Sequence, residues 1–229
     1  MRHLISTLLL IFSLCNIYAQ NKVENKLTDF KSISVVGNIE LTLVKGDTPS
    51  FEAEITGVAA DKLEWTISSN KVDFFLKEPL KFGSNKETVS AKVTLYYTDL
   101  ETVDCRSSAK ILSKDVIKSE IFTINARTNS VVSLNLDSED VRVTGSSSVV
   151  TLSGKTDYLT VDSSSAASVN CSMLDSRVVT AKTQTNAECY VSSSEKLDAK
   201  ASTNSSLFYK GEPKFFNKKE STLGEVLKF

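Results

Sequence analysis

Asp104 with Arg106, Arg142 with Asp162, and Lys182 with Asp198 and Lys200 are the residues of this 229-residue chain whose types and spacing suit chemistry on a substrate. Brought onto one face, such carboxylates and cations can abstract a proton from a polysaccharide or hydrolyse its glycosidic bond, reactions that need no imidazole. Imidazole is what the chain lacks. Its single histidine, His3, lies in the opening "MRHLISTLLLIFSLCNIYAQ", where a basic start, an apolar run from Leu4 to Leu14 and Ala19 before Gln20 read as a signal peptide over 1–19. Cys15 offers a rival lipidation site, against which the bulky Leu14 before it stands. After cleavage no Ser-His-Asp or Cys-His pair and no imidazole metal ligand is available.

Removing 1–19 leaves 26 basic against 28 acidic residues, so nucleic acid is not an expected partner. No later segment is apolar enough over about 18 to 20 residues to cross a membrane as a helix. Cys105, Cys171 and Cys189 remain, an odd number without CxxC spacing, which argues against a disulfide framework and a metal knuckle. No catalytic residue, cofactor-binding residue or metal ligand is therefore assigned, and no cofactor is expected.

What would position any surface group is a repeat. Val103, Phe122, Val141, Leu159, Val179, Leu197 and Phe216 recur every 18 to 20 residues, and a second apolar or small residue follows two positions on, from Cys105 and Ile124 to Ala181 and Ala199. Period two is a strand. A second set, Val132 and Leu134, Val150 and Leu152, Val169 and Cys171, Cys189 and Val191, and Leu207 with Tyr209, gives each copy a second inward-facing strand. The polar turns between them, such as "ARTNS", "TQTNA" and "ASTNS", place Asn129, Asn186 and Asn204 at one phase, where a corner needs left-handed backbone. One copy is too thin to bury its own apolar face, so the copies must stack, and six steps at a strand spacing of about 4.8 Å give a stack about 29 Å long. The expected fold is all-β, a parallel β-helix or β-solenoid with coils of about 18–20 residues. Residues 100–229 carry the repeats, and 20–99 form a region of alternating strands that caps or begins the solenoid. Within that region "LEWTISSNKVDFFL" reads as a hairpin turning at Ser68 to Lys71, with Trp65 in the core.

The entry "FKSISVVGNIELTLVKGD", the strand and leucine "VTLYYTDLETVDCRSSAKI", the corners "VTGSSSVVTLSG" and the close "LFYKGEPKFFNKKESTLGEVLKF" resemble the GIN-type auto-transporter adhesin head domain, a family of secreted Bacteroidetes proteins, over residues 28–229. The chain departs from that pattern at "DSSSAA", "KTQTNA" and "KASTNS", where the family pairs glycine with serine. The resemblance implies a right-handed parallel β-helix, placement in the periplasm, on the outer-membrane surface or outside the cell, and no enzymatic activity.

Two functions follow. The first is an exported interaction module whose outward ladders of Thr, Asp, Lys and Asn meet a surface glycan or protein. The second is a carbohydrate-active β-helix, a lyase or hydrolase using the charged groups named above; coils this short leave no room for the long insertions that wall a cleft. "KGD" at Lys45 to Asp47 reads as turn chemistry before Pro49, and "DSED" at Asp137 to Asp140 as a solvated corner lacking a calcium-loop pattern. Stacking Val169 on Cys189 sets Cys171 and Cys189 diagonally, with a Cα separation of about 8 Å. That exceeds the reach of a disulfide, so all three cysteines should be buried thiols.

Overall fold

Alternation of apolar and polar side chains at a fixed repeat fixes both the strands and their stacking, and the computed structural model carries it through a β-solenoid of about seven turns. Residues 21–77 and 89–229 are described; the expected signal peptide at 1–19 and Cys15 lie outside them. Strands β9 (Lys110–Arg127), β10 (Val131–Ser146), β11 (Val149–Ser164) and β12 (Ser168–Gln184) are long, parallel and bent, one to a coil. After them the coils break into shorter pieces: β13 (Glu188–Ser192) with β14 (Lys196–Ser202), β15 (Ser206–Lys210) with β16 (Phe215–Ser221), and β17 (Glu225–Lys228). Phe122, Val141, Leu159, Val179 and Leu197 stack in register as one interior ladder that ends on the exposed Phe216, and Ile111, Val132, Val150, Val169, Cys189, Leu207 and Val226 as another.

The first step of the expected repeat is corrected. In β8 (Thr102–Arg106), Val103 lies in register with Ile124 rather than Phe122, and Cys105 with Ala126. The cause is an insertion in β9: Leu112 pairs with Ser133 and Val116 with Asn135, so Ser113, Lys114 and Asp115 occupy the space of one residue. The Ser113 hydroxyl accepts the Asn135 amide (2.9 Å) and Asp115 the Lys45 amide (3.1 Å), which satisfies the groups the bulge disturbs.

Each long strand also carries a third inward stretch that the two-strand expectation lacked. Ile117, Leu136, Gly154 and Leu174 stack there, followed by Ser119, Ser138, Thr156 and Ser176. Gly154 has φ +110°, and a Cβ on it would lie 2.0 Å from the Leu136 carbonyl oxygen, so no other residue fits that close approach. Past this stretch the inward parity switches, in β10 between Ser138 and Val141, which marks a corner at Glu139.

Most corners after the last stretch of a coil are alike, the one after β10 having a single left-handed residue, Ser147. Two residues take left-handed backbone at Ser107 and Ser108, Thr128 and Asn129, Ser165 and Ala166, Thr185 and Asn186, and Thr203 and Asn204. A small buried residue follows each pair: Ala109, Ser130, Ala167, Ala187 and Ser205. Asn and hydroxyl side chains tolerate the conformation, and the small residue lets the next strand start tight against its neighbour. The Asn204 amide donates to Asn186 Oδ1 at 2.7 Å, one rung of a corner ladder.

At the N-terminal end chain order departs from spatial order. The coil of β2 (Ser32–Val36) and β3 (Ile39–Lys45) lies between the coil of β6 (Lys71–Leu76) and β7 (Ser90–Tyr97) and that of β8 and β9. Strand β4 (Ser50–Thr56) runs antiparallel on β7, β1 (Asn21–Lys26) antiparallel on β4, and β5 (Leu63–Ser68) antiparallel on β6. Left-handed Ser69 and Asn70 make the tight β5–β6 turn. Trp65 and Phe51 meet edge to face (5.4 Å), and Phe51 meets Phe74 (5.1 Å), so the tryptophan, partly buried, packs against the core of this end without lying inside it.

Candidate functional site

The corner between the second and third stretches of each coil points its residues out of the solenoid, and stacking turns them into a rim. Glu120, Glu139, Asp157, Arg177 and Glu195 follow one another along the axis, one per coil. Two positions earlier, Lys118, Asp137, Lys155 and Asp175 form a facing rim of alternating sign. Between them runs the hydroxyl ladder of Ser119, Ser138, Thr156 and Ser176. The result is a furrow along the solenoid, with a groove of about 710 Å³ from Lys118 to Asp157 and a second of about 480 Å³ from Thr156 to Glu212, both lined by Thr156.

Its floor is internally satisfied. Ser119 and Ser138 share a hydrogen bond of 2.9 Å, Thr156 donates to the carbonyls of Glu139 and Tyr158, and Ser176 to that of Leu174. The rims carry the interactions open to a ligand. Lys155 pairs with Asp137 (3.4 Å). Arg177 bridges Asp157 (3.1 Å) and Glu195 (2.7 Å), donates to the Tyr158 hydroxyl (3.1 Å) and lies over its ring at 5.1 Å. Glu195 first, then Asp157 and Tyr158, raise the Arg177 pKa further, so it is a fixed cation and not a proton donor.

The groups singled out from the sequence distribute elsewhere, on the outward face of the wall that holds β8, β14 and β16. Asp104 and Arg106 are together, 3.0 Å apart as an ion pair without hydrogen-bond alignment. Arg142 turns instead to Asp140 (2.6 Å), and Asp162 reaches Lys182 (3.9 Å). Lys182 and Lys200 are register neighbours, whereas Asp198 pairs with Lys196 (2.8 Å), whose hydrogen bond lowers its pKa. Asp137 to Asp140 contributes three residues, Asp137, Ser138 and Glu139, to the furrow and one ion pair, Asp140 with Arg142, beyond it. Lys45 donates to the Thr98 carbonyl and lies over the Tyr97 ring (5.6 Å), holding "KGD" in the β3–β4 turn. Sequence reasoning read Glu139 as part of a solvated corner and missed Glu120, Asp157, Arg177 and Glu195, although all five recur with the same spacing as the apolar landmarks.

Cys105, Cys171 and Cys189 are buried free thiols. Burial pushes Cys105 and Cys189 up to about 12 and Cys171 well above its ordinary value, so none is a poised nucleophile. Among the described residues no group of three or more His, Cys, Asp or Glu side chains is placed to hold a metal ion, and no helix is long and apolar enough to cross a membrane. From β9 to β14 the links between strands are two or three residues, with no inserted loop.

No curated protein matches the sequence. Among solved structures, a "putative adhesin" from Bacteroides fragilis superimposes with a TM-score of 0.79 at 16% identity, over 91% of this chain and 96% of that one. A "putative adhesin" from Parabacteroides merdae gives 0.70 at 16%, over 93% and 97%. A "putative lipid binding protein" from Parabacteroides distasonis gives 0.69 at 17%, over 93% and 98%. At these identities the likeness speaks for the shared fold. The sequence itself, over residues 29–213, matches the family described as "Putative auto-transporter adhesin, head GIN domain", and with the β2–β3 entry, the stacked corners and most of the solenoid inside that span, the chain belongs to this family.

Proposed function

We propose that the protein is an exported, non-enzymatic adhesin-type module that holds an elongated glycan along its axial furrow. The observation that carries this reading is the lining of the two adjoining grooves, which contains charged residues, Ser, Thr and glycine but no apolar side chain. Protein partners are held mainly by aromatic and apolar anchors in desolvated pockets, which this surface does not offer. A hydroxyl-rich polymer needs what it does offer: carboxylates and cations in a regular row, one set per coil, about 4.8 Å apart. The short links from β9 to β14 and the family membership favour binding over cleavage.

The test is a glycan array with the wild type, with Glu139→Gln plus Asp157→Asn in the furrow, and with Lys182→Ala on the neighbouring wall outside it. Binding should fall about tenfold or more for the furrow variant, since hydrogen bonds to charged groups contribute about 1.5 to 3 kcal/mol each, and stay unchanged for Lys182→Ala. An empty array, or equal loss in both variants, removes the reading. Cell fractionation with surface labelling tests export separately.

A further inference from the structure

The two ends of the solenoid are finished differently. At one end antiparallel β1, β4 and β5 overlie the outer coil. At the other, β16 pairs only with β14 and β17 only with β15, and every residue of β16 is exposed. Phe215 and Leu223 stand 65% and 82% exposed there, and Lys218 and Glu220 occupy positions that face inward in the coil beneath, where their register partners are Ala199 and Ala201. The Phe215 amide donates to the Glu195 carbonyl at 3.0 Å, so by strand alternation the backbone groups of Phe216, Lys218 and Glu220 point to the open edge. The β17 edge is partly closed, because Glu220 Oε1 accepts the Val226 amide at 2.7 Å.

We propose that β16 pairs antiparallel with β16 of a second copy of this chain, centred on Lys219, to give a two-fold symmetric dimer. Charge selects the register. Lys218 and Glu220 pair within the chain at 3.2 Å; centring on Lys218 or on Glu220 sets that residue against itself on the inner face, whereas centring on Lys219 sets Lys218 of each copy opposite Glu220 of the other and joins the two in-chain pairs into one cluster of alternating charge. The same register pairs the outward-pointing backbone groups of Lys218 and Glu220, as an isologous edge requires. The cost is Lys219 opposite itself on the outer face, where two long ammonium side chains remain in water. This assembly goes beyond the glycan reading and does not depend on it.

Sedimentation equilibrium of the purified chain should give a dimer, and Lys218→Glu, which faces Glu220 of the second copy with a like charge, should dissociate at least about tenfold more readily. Cysteine pairs read the register without touching the ion pairs. Lys219→Cys should cross-link to itself under mild oxidation, because opposed residues of this kind have Cα atoms about 4.5 Å apart. Asn217→Cys and Ser221→Cys should each stay uncross-linked alone and join when mixed. A chain that remains monomeric at every concentration, a Lys218→Glu variant of unchanged mass, or cross-links in another register would overturn the proposal.

Discussion

At the scale of single residues, the three thiols show how the interior uses small side chains. Val169 stacks on Cys189 and Cys171 on Val191, so the two cysteines are diagonal neighbours that fill volume as small hydrophobes. Cys105 donates to the Ala109 carbonyl at 3.3 Å from its own corner. All three thiols should resist alkylation in the native protein at pH 8, because burial holds their pKa values well above it. In denaturant without reductant, peptide mass spectrometry should find all three alkylated. A disulfide-linked Cys171–Cys189 peptide would contradict the register. This outcome was legible in the sequence, since the apolar period alone sets both cysteines on adjacent strands two residues out of step.

At the scale of elements, the corners and the last coil carry opposite lessons. Ala166 sits in left-handed backbone (φ 60°) on the surface, and the next residue, Ala167, is buried. Ala166→Gly should stabilise the protein by up to about 1 kcal/mol by relieving the side-chain clash of that conformation, while Ala167→Gly should destabilise it by about 1 kcal/mol through lost packing and added unfolded-state freedom; urea denaturation of the two variants checks the sign. In the last coil, the Val226 amide first and the Lys218 ammonium second hold the Glu220 carboxyl below its ordinary value of 4.5. A depressed carboxyl contributes stability that is present above about pH 4.5 and is lost as pH falls through the lower folded value. The protection of the Val226 amide, its exchange relative to an unstructured peptide at the same pH, should therefore fall below that pH, and in Glu220→Gln this acid step should vanish. Elements were read from sequence in proportion to how plainly their inward side chains are apolar. The ladders from Phe122 to Phe216 kept their spacing, but the stretch holding Ser138, Gly154 and Thr156 hid itself by turning polar or side-chain-less groups inward. The insertion at Lys114 and Asp115 shifted the first coil by two residues, and the furrow became visible only once register had stacked its corners.

At the scale of the whole molecule, the coils behave as a one-dimensional stack in which each is supported chiefly by the two beside it. Spatial order at the N-terminal end, with β2 and β3 enclosed between later coils, lies beyond any reading of local pattern, because nothing in a strand's own alternation says which neighbour it will join. Its consequence is mechanical. The enclosed coil cannot leave without releasing β6, β7, β8 and β9, whereas the C-terminal coil rests on one neighbour. Leu159 and Leu207 are both fully buried, but Leu159 lies between Val141 and Val179 in the middle of its ladder, and Leu207 between Cys189 and the terminal Val226. Leu159→Ala should cost about 2 to 5 kcal/mol and lower the midpoint of the global transition. Leu207→Ala removes the same atoms, yet much of its cost can be met by local opening of β15 to β17, so the global midpoint should move less while amides of β15 and β17 exchange faster. Hydrogen exchange and chemical denaturation on the two variants separate these outcomes. Equal midpoint shifts, with no local gain in exchange at β15 and β17, would mean that the stack opens as one cooperative unit despite its unequal ends.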